Sequence, residues 1–185
     1  MSNNLNVTII NEEVFMADDE FIVSKADLRG HLTYVNRTFM EMALLSEAQL
    51  LSKNHNIIRH PDMPKGVFNL LWQSIKKEQE FFGFIKNLRN DGRYYWVFAN
   101  VTAEYDTKGK LMGFLSVRRK PPASAIATII PLYQQMLQLE RSASSAKISE
   151  QSSVEFLQQQ CSQFNTDYQH FIIDLFNENN DGAKK

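Results

Sequence analysis

The chain has 185 residues, 43% of them hydrophobic and 11% aromatic, with a formal net charge of −1. That length holds one domain with a full core plus an appended element, and the balanced charge argues against a nucleic-acid binder that works by phosphate neutralisation. The single cysteine, Cys161, rules out an internal disulfide and a multi-thiolate metal site, and fits a reducing compartment.

The chain opens on a polar, Asn-rich stretch with no basic segment leading into an apolar run, so no signal peptide is expected. Nowhere do about 18 consecutive apolar residues occur, so no membrane span is expected and the protein reads as cytoplasmic. Residues 1–16 are expected to be a flexible lead-in. Residues 21–24 and 32–35 are short β-type runs separated by a polar turn ending in Gly30. Asn36 can cap a helix over 38–45, and Ser46 with Gln49 makes a capping box for a second short helix. His60-Pro61-Asp62-Met63-Pro64 follows, where two prolines force extended or turn geometry. Pro64 suits the first turn of a helix. Phe68, Leu71, Trp72 and Ile75 then share one face of that helix, and Lys76 and Lys77 sit at its end as solvated charge. Three β runs come next, at 81–89, 93–105 and 111–119, with Asn90-Asp91-Gly92 and Asp106-Thr107-Lys108-Gly109 as hairpin turns. In the middle run Tyr94, Trp96 and Phe98 share one face and Tyr95, Val97 and Ala99 the other; the sequence does not say which face looks inward. Arg118-Arg119-Lys120 reads as solvated charge.

After Pro121-Pro122 the period becomes helical. Ile129, Leu132, Met136, Leu139, Ala143 and Ala146 form one apolar seam, and Val154, Leu157, Cys161, Phe164, Tyr168, Phe171 and Leu175 form a second. The seams are out of phase, which leaves a helical hairpin or a stuttered long helix. Either must pack on its own domain, on a second copy or on a partner. The expected organisation is an α+β domain at 17–120, a helical segment at 121–176 and a disordered tail at 177–185.

The run Asn56-Ile57-Ile58-Arg59-His60-Pro61-Asp62-Met63-Pro64-Lys65 resembles the PAS sensor domain of the bacterial aerotaxis-receptor family. The resemblance continues through Phe68, Trp72, Gly83, Lys86-Asn87, Asp91-Gly92, Tyr95-Trp96-Val97 and Ala99-Asn100 to Pro131-Leu132-Tyr133, and earlier takes in Asn36 with Thr38-Phe39. It implies a PAS fold, a five-stranded antiparallel sheet with short helices enclosing a pocket for non-covalent FAD, followed by a C-terminal helical extension. Carried over position by position, it implies cofactor contacts from Asn36, Arg59, His60, Asp62, Trp72 and Asn87. It further implies a redox or oxygen sensor that signals by protein contact to a methyl-accepting chemotaxis-type transducer or other signalling protein, as a homodimer. Two departures stand out: Phe81 occupies a position where the family usually has Trp, and Ala43-Leu44-Leu45 replaces the usual Gly-Tyr-Thr. The membrane span and signalling region of the receptors do not follow Pro131-Leu132-Tyr133 here, so the chain reads as a stand-alone sensor half.

Blander readings compete at each position. Asp62 could simply cap the helix that follows it, and Trp72 would pack on its apolar face in any case. Asn87 is a poor β-former in mid-strand, which favours a role for its amide. His31, His55 or His60 could serve as an axial haem ligand. A cysteine adduct to a flavin would need a thiol within 17–120, and there is none. No nucleotide fingerprint, nucleophile–base pair or metal-ligand cluster points to an enzyme, and too few residues follow 120 for a kinase or cyclase. The alternative function is a cofactor-free PAS module for dimerisation or docking.

Overall fold

The structure is a computed structural model, and it describes residues 5–178. Five antiparallel strands form one sheet in the order β2-β1-β5-β4-β3: β1 is Ile22–Asp27, β2 Leu32–Val35, β3 Phe81–Leu88, β4 Tyr94–Tyr105 and β5 Leu111–Arg119. The hairpins form where the sequence supplies the backbone freedom. Gly92 (φ 89°) closes β3 to β4, and Gly109 (φ 77°) closes β4 to β5 with help from Asp106, whose carboxylate accepts the N–H groups of Lys108 and Lys110. Strand β1 then pairs with β5 along its whole length, so the first and last strands of the domain lie together in the middle of the sheet.

The connection from β2 to β3 carries helix α1 (Arg37–Ala43), helix α2 (Glu47–Leu50), a 3-10 turn at His55–Ile58 and helix α3 (Lys65–Lys76). Asn36 caps α1, and the capping box of Ser46 with Gln49 is present at α2. Helix α1 stops at Ala43, short of the expected 45, because Leu44 takes a left-handed φ of 53° and turns the chain. At the other end of the domain, residues 10–14 differ from the expected flexible lead-in. Ile10 N–H donates to the Gly92 carbonyl, Val14 N–H to that of Tyr94, and Tyr94 N–H to that of Glu12. They form a strap along the start of β4, where β5 has already ended, and Met16 beyond it is buried.

The C-terminal segment folds back onto the sheet as three helices: α4 (Ala123–Ser142), α5 (Ala146–Gln163) and α6 (Tyr168–Glu178). The expected second seam is therefore split. It breaks after Gln163, where Phe164 ends α5 and Asn165 adopts a left-handed φ of 53°. Phe164 is left 69% exposed, while Val154, Leu157, Cys161 and Phe171 are buried. Of the three packing partners left open, this structure uses the chain's own domain. Phe176 of α6 stacks on Phe98 of β4 (4.1 Å between ring centroids), and the Tyr133 hydroxyl of α4 donates to the Phe84 carbonyl of β3 (2.9 Å). Each large side chain buried this way contributes roughly 1.5–3 kcal/mol. The tail expected to be disordered lies, from residue 179 on, outside the described residues.

Candidate cofactor site

Helix α3 crosses the inner face of the sheet and leaves a cavity of about 300 Å³ between them. The four residues read from the sequence as one apolar helix face, Phe68, Leu71, Trp72 and Ile75, form one wall, and Phe81, Ile85, Ala99, Val101 and Phe114 form the floor. The inner face of β4 is thus the one that carries Ala99. The other face, with Trp96 and Phe98, looks at Tyr133 of α4 and Phe176 of α6. Trp72 stands at the rim, 40% exposed, with its ring edge-on to Phe114 at 5.5 Å.

One end of this apolar cavity is polar. Arg118, 3% exposed on the inner face of β5, donates from Nη2 to Ser24 Oγ (2.5 Å) and to His55 Nε2 (2.6 Å), and from Nε to Ser116 Oγ (3.0 Å). An arginine only donates, so His55 Nε2 must be the acceptor and the ring proton sits on Nδ1. Burial, reinforced by the Arg118 charge, pushes the His55 pKa down to about 3. Burial also lowers that of Arg118, to about 10, which leaves it protonated at neutral pH. Among the described residues its buried Nη1 has no hydrogen-bond partner. Such an orphan donor costs about 1–3 kcal/mol unless a further group satisfies it.

Arg59 and Asn87 meet at the second polar edge, held side by side by a backbone bridge. Arg59 donates to the Met63 carbonyl (2.9 Å) and lies 4.1 Å above the Phe68 ring. The Asn87 amide lines the cavity and has no side-chain hydrogen-bond partner among the described residues.

Of the six residues implied by the resemblance, Arg59, Trp72 and Asn87 line this cavity and the other three lie outside it. Asn36 instead ties the start of α1 to β1: its Oδ1 accepts from Val23 N–H and Phe39 N–H, and its Nδ2 donates to the Phe21 carbonyl. His60 is buried behind β3, accepts the Asp62 N–H at Nδ1 (3.1 Å), and is pushed down to about 4 by burial and by Lys86. Asp62 is exposed and pairs with Lys86 (3.1 Å). These two shape the turn that delivers Arg59.

Arg118, expected from the sequence to be solvated charge, is buried instead. Strand β5 is central and its inner face points into the cavity, so a residue on the Phe114–Ser116–Arg118 face cannot reach water. The period of two along β5 was the available signal. In His55, one of the three histidines the sequence offers as a haem ligand, the Nε2 lone pair a metal would need is taken by Arg118. Cys161 sits on α5 and is not part of the cavity wall.

A five-stranded antiparallel sheet whose helices close over a cavity defines a PAS domain, and residues 32–118 match the family described as the PAS fold. Solved structures agree on the fold. The blue-light photoreceptor Aureochrome1 LOV in its light state superposes with a TM-score of 0.53 at 23% identity, covering 65% of this chain and 94% of that one. The LOV domain from an Erythrobacter litoralis blue-light activated histidine kinase gives 0.50 at 24%, covering 54% and 94%. In sequence, 119 residues (64% of this chain) are 37% identical to the aerotaxis receptor of Escherichia coli (strain K12), and 97 residues (52%) are 29% identical to the nitrogen fixation regulatory protein of Klebsiella pneumoniae. The matches span 23% and 20% of those two proteins. Residues 32–118 of the chain thus form a PAS-fold domain, and the sequence around it is similar to the aerotaxis receptor. Among the described residues no helix is long and apolar enough to cross a membrane.

Proposed function

We propose that this protein is a redox or oxygen sensor that holds the ring system of a non-covalent FAD in the α3–sheet cavity. In this reading it reports the state of that cofactor by protein contact to a separate signalling protein of the methyl-accepting chemotaxis type. The observation that carries the reading is convergence. Arg59, Trp72 and Asn87 come from three separate elements to one apolar cavity that also holds a buried, incompletely satisfied Arg118. An apolar pocket with a few convergent polar groups is the usual form of a cofactor site. At about 300 Å³ it takes a tricyclic ring but not a whole dinucleotide, so the remainder would pass the rim at Trp72.

When bound, the flavin supplies the redox chemistry. The protein's part is to orient and bias. The Asn87 amide can both donate and accept, which suits the polar edge of a flat heterocycle. The Arg118 cation, pinned by Ser24, Ser116 and His55, favours any state of the ligand that carries more negative charge. Trp72 and Phe114 shield the opening from water. In this reading the protein binds and signals rather than catalyses, and works in the cytoplasm as a homodimer.

The test is optical. Purified protein, or protein reconstituted with FAD, should be yellow, and the supernatant released by heat should contain FAD rather than FMN. Protein that stays colourless through reconstitution would sink the flavin reading and leave a cofactor-free PAS docking module.

A further inference from the structure

Helix α3 brings its wall to the cavity, yet its first turn has no cap of its own, since Pro64 stands at the N-cap position and offers no side-chain acceptor. The cap comes from α4. The buried Glu140 accepts Lys65 N–H at Oε2 (3.0 Å) and Gly66 N–H at Oε1 (2.9 Å). The same Oε1 accepts from the Ser153 hydroxyl of α5 (2.8 Å), and Ser149 donates to the Glu140 carbonyl (3.1 Å). A carboxylate is the favoured charge at a helix N-terminus. Gly66 fits closely beneath this cluster: a Cβ there would overlap Ser153 Oγ and press on Met136. The C-terminal helices also reach the cavity a second way. Phe81, in the cavity floor, stacks on Tyr168 of α6 at 5.9 Å and 23° between planes. Arg59, just ahead of α3, feels the charges of Glu140 and Glu150, which oppose the lowering that burial imposes on its guanidinium.

We infer that Glu140 is a positioning residue of the cofactor cavity, so that docking of α4 and α5 on the first turn of α3 is coupled to occupancy of the cavity. The inference takes only the identity of the ligand from the flavin reading above. The cap fixes the Lys65–Gly66 turn, and that turn sets where Phe68, Leu71 and Trp72 sit. A ligand that requires α3 in this place favours the docked helices, and the docked helices favour the ligand by the same factor. Losing an N-cap costs about 1 kcal/mol, which converts to roughly fivefold in affinity.

The experiment uses the full chain, with Glu140→Ala, the milder Ser153→Ala, and Gln138→Ala on the exposed face of α4 as control. Three quantities are read: amide exchange at Lys65 and Gly66, FAD affinity by fluorescence quenching, and Trp72 emission in a Trp96→Phe background. Glu140→Ala should speed exchange at both amides, weaken FAD roughly fivefold and shift Trp72 emission. Ser153→Ala should move all three the same way by less, and Gln138→Ala should move none. Should the parent fail to take up FAD, the flavin reading falls, and Trp72 emission decides the coupling alone. The inference is overturned if exchange at Lys65 and Gly66 rises while FAD affinity, or in a non-binding parent Trp72 emission, stays at the parent's value. If Glu140→Ala does not fold, Ser153→Ala is judged by the same criteria.

Discussion

The two faces of the β3–β4 hairpin are built from one stretch of sequence and serve opposite ends. The outer face is filled: Phe82, Phe84 and Phe98 lie together, Phe176 stacks on Phe98, and the Tyr133 hydroxyl is satisfied by a strand carbonyl. The inner face is left partly empty, with Phe81, Ile85, Asn87, Ala99 and Val101 facing a cavity and the Asn87 amide uncommitted. Interiors are normally close-packed, so an unfilled face is a cost that the filled one must offset. Stability is therefore concentrated on one side of the hairpin and recognition on the other.

Substitutions can break that division most sharply on the outer side. Phe98→Ala should cost about 3–5 kcal/mol in urea unfolding, because it removes a ring packed against three others. Any flavin bound per folded molecule should stay at the parent's level. Gly66→Ala is the next largest and has a diagnostic sign. Helix propensity alone predicts a gain of up to about 1 kcal/mol. The close approach of Ser153 instead predicts a net loss of about 1–3 kcal/mol. Pairing it with Ser153→Ala should recover part of that loss, and a thermal melt of the double variant checks this.

Acid sharpens the contrast from the inner side. The folded pKa of His55, about 3, lies below its ordinary 6.5, so the unfolded chain takes up the proton first as pH falls. Stability is intact above about pH 6.5 and drains between there and about pH 3, by up to about 1.4 kcal/mol per pH unit. His60, lowered to about 4, adds a similar slope. Urea midpoints at pH 7 and pH 5 should converge in His55→Gln relative to the parent, and an unchanged gap would mean that His55 is not buried neutral. The smallest stability effects are expected at Trp72→Ala and Asn87→Ser, about 1 kcal/mol or less, with a much larger fall in flavin occupancy. Matching losses of fold and flavin would return both residues to a packing role.

The fold was readable because its signals are local. The Gly92 and Gly109 turns, the Asn36 cap and the Phe68–Ile75 face each depend on neighbours within a few positions. Arg59, Trp72 and Asn87 came from the resemblance, and the structure places them at one cavity. Arg118 was hidden because a run of three cations looks like surface until the strand is known to be central. The role of Glu140 was hidden for a different reason: its partners Lys65 and Gly66 are 75 and 74 positions away, and no periodicity in α4 marks a helix face that caps another helix. The break at Asn165 could not be read from spacing, since the heptad pattern runs straight through it.

The strap at residues 10–14 bears on how this sheet meets other chains. A row of unpaired backbone N–H and C=O groups is a template on which a foreign strand can grow. Strand β5 ends opposite Phe98, so the first residues of β4 would present such a row. The strap takes up both the N–H and the C=O of Tyr94, and a side chain at Gly92 would run into the Thr8 carbonyl that lies beside it. The leading segment is thus a built-in guard against edge-to-edge aggregation, and trimming it to make a tidier domain would trade a short, well-paired edge for an adhesive one.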